Sequence, residues 1–138
     1  MTKIPTMPSD VAFVFNEMPS AARTSLKKAR VQIFEVAEGA DVGALTETLK
    51  WRQPSYLTEA SKAGSTVRLA LHKGQAAVFF NCQTTLVEGF RADFPEAFTY
   101  VGSRALLLTK ASDPQALGIC LARALTYHRD KQSRRASA

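Results

Sequence analysis

Trp51-Arg52-Gln53-Pro54-Ser55-Tyr56-Leu57-Thr58 holds the only tryptophan of the chain and a Gln-Pro-Ser-Tyr run that no helix carries through its middle. Proline lacks the amide N–H a helix interior needs, and its ring clashes with the preceding turn. Immediately upstream, Leu45, Glu47, Leu49 and Trp51 alternate, which predicts a short strand running into a break at Pro54. The indole is expected to pack beneath the Pro54-Ser55-Tyr56 bend, making Trp51, Pro54 and Tyr56 a structural motif.

Working outward, the next segments alternate more cleanly. Val67, Leu69 and Leu71 share one face of a strand over 66–72, and Ala76, Val78, Phe80 and Cys82 share one face of a strand over 75–82. Lys73-Gly74 between them predicts a two-residue hairpin turn, with Leu69 opposite Val78 and Arg68 opposite Phe79. The other face of this hairpin carries Thr66, Arg68, Ala70, His72, Gln75, Ala77, Phe79 and Asn81. Phe98–Val101 and Arg104–Thr109 form a second predicted hairpin, turned tightly at Gly102-Ser103.

Helices flank these strands. Ser9 or Asp10 is expected to cap a short helix that turns Val11, Val14 and Phe15 inward. A longer one opens at Pro19-Ser20, buries Ala22, Leu26, Ala29, Ile33 and Ala37, and stops at Gly39 in a left-handed cap. Thr85 and Glu88 have capping-box spacing for a short helix carrying Leu86, Phe90 and Phe94, ended by Pro95. Asp113-Pro114 starts the last helix, whose apolar stripe is Leu117, Cys120, Leu121, Ala124, Leu125 and His128. The order implies an α+β fold: an antiparallel sheet of about five strands with helices packed on one side and the other side partly open. Residues 1–128 read as a single domain, and 129–138 as a basic, disordered tail.

At 138 residues, 46% of them hydrophobic and 22% charged, the chain has an ordinary globular composition. Its start lacks the apolar core of a signal peptide and no apolar run is long enough to span a bilayer, so a cytoplasmic location without membrane partners is expected. Cys82 and Cys120 are too few for a disulfide framework, lack C-x-x-C spacing and are expected to be buried thiols. Part of the +6 net charge sits at the end of the chain, where Arg129, Lys131, Arg134 and Arg135 face only Asp130. Weak, salt-sensitive contact with nucleic acid or an acidic partner is the reading those four charges allow.

The sequence carries no nucleophile elbow, zinc-protease helix, phosphate loop or dinucleotide fingerprint. A non-enzymatic binding protein is therefore expected, its ligand a small anion or a partner protein at the open sheet face. His72, His128, Cys82 and Cys120 suit zinc by ligand type, but their spacing matches no recognised site. Glu35, Glu38 and Asp41 cluster at the end of the long helix, as Glu88, Asp93 and Glu96 do around the short one; both groups read as solvated surface. The most informative polar constellation is Ser65, Thr66, Arg68, Phe79, Asn81, Gln83, Thr84, Thr85 and Arg104. Free N–H groups at a helix start beside arginines suit a small anion such as a carboxylate or phosphate. Arg68 stacked over Phe79 is the simpler structural alternative.

With these residues assembled, the chain resembles the YdhG-like family of small bacterial domains. The similarity is carried by the Trp51–Thr58 run, Gly64-Ser65-Thr66 with Arg68, the F-N-C-Q-T-T-L segment at Phe80–Leu86, Arg104-Ala105, and A-L-T-Y-H at Ala124–His128. The familiar form of the first motif has glycine after tryptophan, where this chain has Arg52. The resemblance implies an α+β fold with an antiparallel sheet flanked by helices. It also implies a role in carrying ferrous iron, since one family member is a frataxin-like iron chaperone. Such binding uses surface carboxylates, for which Glu35, Glu38 and Asp41 are the candidates in a chain of 12 acids against 18 bases.

Overall fold

The Trp51–Thr58 run is half of a hairpin, and that adds a strand to the sheet. In the computed structural model, which describes residues 2–137, β1 (Thr46–Lys50) turns directly into β2 (Gln53–Leu57), with Lys50 opposite Gln53 and Glu47 opposite Tyr56. Trp51 and Arg52 are the two turn residues, at φ of 51° and 60°. Left-handed dihedrals at both central positions define the primed turn that matches strand twist. Without glycine or asparagine there, alternation predicted the strand but not its return. Pro54 is accommodated because the ladder from β2 to the next strand involves only Ser55 and Tyr56.

β3 (Val67–His72) and β4 (Gln75–Phe79) pair in the expected register, Leu69 opposite Val78 and Arg68 opposite Phe79. Lys73 and Gly74 make the turn at φ of 50° and 81°. β5 (Thr99–Val101) and β6 (Ala105–Leu107) pair as Val101 with Ala105, so their connection has three residues, Gly102 to Arg104, rather than a two-residue turn. The result is one antiparallel sheet of six strands, in the order β1-β2-β3-β4-β6-β5. The count exceeds five because β2 occupies the stretch read as a bend.

Five helices complete the α+β fold: α1 (Ser9–Asn16), α2 (Ser20–Gly39), α3 (Leu86–Asp93), α4 (Pro114–Leu125) and α5 (Tyr127–Ser137). The main core joins helix residues Phe15, Leu26, Ile33 and Leu121 to Tyr56, Val67, Leu69, Val78 and Leu106 of the sheet. Tyr56 pairs with Val67, Leu69 with Val78 and Val78 with Leu106, and Val67 and Leu69 are two apart on β3, so all five point to one face and the helices cover it. The opposite face carries a small cluster of its own, Ala70, Ala77, Phe79 and Ala105, with Val101 and Leu107 packed against it. It is therefore more apolar than its polar rim suggested, and Phe79 is a wall rather than an exposed platform.

Local signals fared unevenly. Asp113 caps α4 as its position required, accepting from the Gln115 N–H at 2.9 Å. Pro8, not Ser9 or Asp10, precedes α1, and Asp10 accepts from its neighbour Val11 at 2.8 Å. Gly39 remains helical; the left-handed residue is Asp41, at φ 53°. The Thr85 side chain makes no cap, because Thr84 Oγ1 accepts from the Leu86 N–H instead, at 3.3 Å. Cys82 is exposed beyond the end of β4, whereas Cys120 is buried in α4 and its thiol is pushed up to about 12 by that burial.

The basic end, read from sequence as disordered, continues as α5, whose Lys, Gln, Arg and Ala residues are adequate helix formers. Its first turn is tied to the body. The Arg129 N–H donates to Ala63 O at 2.9 Å, and Arg129 Nη1 to Ala40 O at 2.8 Å. His128 lies on this helix rather than on the apolar stripe of α4, and it is exposed. No helix among the described residues is long and apolar enough to cross a membrane.

Candidate anion site on the open sheet face

Arg68 is the second residue of β3, with its side chain on the sheet face that no helix covers. Cross-strand pairing sets Ser55 on one side of it and Phe79 on the other. The guanidinium lies 4.7 Å from the Trp51 ring centroid and 5.8 Å from that of Phe79. Two aromatic walls thus hold one planar cation, a favoured arrangement for arginine. Arg68 is half-buried, yet its guanidinium makes no hydrogen bond or ion pair with any other described residue. Buried donors are normally satisfied, so its N–H groups are left for solvent or a ligand.

The electrostatics point the same way. Burial lowers the Arg68 pKa, and the nearby positive charge of Arg104 lowers it further, while Cys82 acts in the opposite sense. An anion at the guanidinium would offset these effects by favouring its charged form. A cavity of about 380 Å³ opens beside it, lined by Lys50, Trp51, Thr66, Arg68, Asn81, Cys82 and Gln83. No carboxylate among the described residues lines it.

Of the nine residues that sequence nominated, the structure brings Thr66, Arg68, Asn81 and Gln83 into this cavity, with Phe79 backing Arg68. Asn81 also shapes the rim, its Oδ1 accepting from the Gln83 N–H at 2.8 Å. Arg104 is exposed and contributes charge at a distance. Ser65 is buried the other way, its N–H donating to Ala124 O in α4 at 2.8 Å. Thr84 and Thr85 lie outside the lining; Thr84 Oγ1 donates to Asn81 O at 2.6 Å and folds the loop on itself. The start of α3 is therefore a capped turn separate from the cavity.

Three contributors escaped the sequence reading: Lys50, Trp51 and Cys82. Trp51 is the largest correction, because its ring is 80% exposed rather than packed beneath the bend. With only a cation–π contact to lose, Trp51→Ala is expected to destabilise the fold by less than about 1 kcal/mol in a urea titration. A second cavity of about 330 Å³ also borders Trp51, with Val14, Met18, Gln53, Pro54 and Ala70 in its lining. Gln53 carries the one buried side-chain oxygen, Oε1, that has no partner among the described residues.

Among the described residues, no group of three or more His, Cys, Asp or Glu side chains is placed to hold a metal ion. Glu35, Glu38 and Asp41 thus do not converge; Glu38 and Asp41 line a shallow hollow beside Lys3 from which Glu35 is absent. The zinc tetrad does not assemble either, since Cys120 is in the core while Cys82 and His128 are exposed. Asp93 of the second acidic group is engaged by Arg123 at 2.6 Å. No family model, curated protein or solved structure matches this chain.

Proposed function

We infer that this protein is a non-enzymatic binding protein whose ligand is a small oxyanion, a carboxylate or phosphate, held at Arg68 on the open sheet face. The observation that carries this reading is a half-buried guanidinium between two aromatic rings, facing a cavity that contains no acid. A planar fork of donors matches a two-oxygen acceptor, and Lys50 adds a second positive charge at the rim. The cavity volume falls at the lower end of the roughly 300–1,000 Å³ typical of small-molecule sites, which favours a compact ligand.

The test is an amide NMR titration with sodium acetate and with inorganic phosphate at constant ionic strength. Saturable shifts are expected to centre on residues 50–51, 66–68 and 81–83. Arg68→Ala should weaken binding about ten-fold or more, the scale of losing a charge-assisted hydrogen-bonded pair. Arg68→Lys should fall between, keeping the charge and losing the fork. Equal affinity in native protein and a folded Arg68→Ala variant would remove this reading.

A further inference from the structure

We propose that the ligand is an aromatic carboxylate, its carboxylate on the Arg68 guanidinium and its ring against the exposed Trp51 indole. This deepens the oxyanion reading above and rests on it. The argument begins with the cost of presenting Trp51. Both turn residues, Trp51 and Arg52, are non-glycine residues with positive φ. Each left-handed non-glycine residue costs roughly 1–2 kcal/mol, and such strain clusters at ligand clamps. What the turn displays for that cost is an indole that is 80% exposed and adds almost nothing to the core.

The ring is also placed to serve a ligand. Trp51 borders both the cation-lined cavity and a second one, where Val14, Met18 and Pro54 share the lining with Glu17 and Arg52. Acetate or phosphate would use the arginine and leave the indole in water. An acid carrying a flat apolar ring would use both, since a π-face stacks on tryptophan while its carboxylate meets the guanidinium. The Arg68 guanidinium lies over the indole, 4.7 Å from its centroid, so cation and ring adjoin and the indole's uncovered surface is what a ligand ring would meet.

Benzoate, acetate and inorganic phosphate distinguish the two levels of the argument in the same NMR titration, applied to the native chain, Trp51→Ala and Trp51→Phe. Benzoate is expected to bind about ten-fold more tightly than acetate, in line with stacking on an aromatic platform. Trp51→Ala should bring benzoate down to the level of acetate, and Trp51→Phe should keep most of the preference. If acetate and phosphate bind at Arg68 but benzoate binds no better, the aromatic inference is overturned while the oxyanion site stands. A benzoate preference that survives Trp51→Ala overturns it as well, because the ring would then be recognised elsewhere. If none of the three binds, both readings fall.

Discussion

Glu47→Ala is expected to cost about 3–5 kcal/mol, because it strands a buried guanidinium. Arg30 of α2 and Glu47 of β1 face each other with side chains only 7% and 6% exposed. Arg30 Nη2 donates to Glu47 Oε1 at 2.8 Å, and Tyr56 Oη donates to Glu47 Oε2 at 2.8 Å. The Arg30 pKa is raised, first by its hydrogen bond to Glu47, against the opposing effect of burial. Burial and the adjacent carboxylate both raise the Tyr56 pKa, so its hydroxyl stays protonated and donating. Arg30 Nη2 also donates to Pro5 O at 2.8 Å, so the same cation fastens the N-terminal segment to α2.

A urea titration of Glu47→Ala should show a much lower midpoint at a similar slope. The triple variant Arg30→Met, Glu47→Leu, Tyr56→Phe removes every member together and should lie within about 2 kcal/mol of the native protein, since apolar replacement of a buried pair is often tolerated. A triple variant as unstable as Glu47→Ala would show that the loss reflects packing rather than a stranded charge.

The second large effect is expected at Gly64. A Cβ there would collide with the backbone carbonyl carbon, oxygen and Cα of Leu125 at the end of α4. Backbone cannot swing aside as a side chain does, so Gly64→Ala should cost about 3 kcal/mol, the upper part of the overpacking range. The approach is built in from both sides. Thr58 Oγ1 accepts from the Gly64 N–H at 2.8 Å, and the Ser65 and Arg129 amides reach Ala124 O and Ala63 O across the junction. Gly39→Ala is the control: nothing lies within 4 Å of a Cβ there, and alanine suits its helical site, so a small gain of about 0.5–1 kcal/mol is expected. Thermal melts followed by circular dichroism compare the two; equal melting temperatures would contradict the close approach.

What was legible in the chain was whatever a repeating pattern enforces. Leu69 faces Val78 because alternation and a two-residue turn leave one register, and Asp113 caps α4 because a carboxylate before proline has few other uses. The Arg30–Glu47–Tyr56 network was invisible for the opposite reason. An arginine on an amphipathic helix reads as solvated until the partner that neutralises it is known. β2 was hidden because its turn uses tryptophan and arginine at dihedrals that glycine usually supplies. At the site, Arg68, Thr66 and Asn81 were found together because hairpin pairing is local. Lys50 and Trp51 were missed because they reach the cavity only through β2, the strand that was not seen.

The exposure of Trp51 changes how this protein reports on itself. Its single indole already sits in water when the chain is folded, so its fluorescence emission should shift little in wavelength on unfolding, and a denaturation curve read from that emission would record the core only faintly. The same ring, held beside Arg68, is instead a native optical probe for whatever settles on the open face.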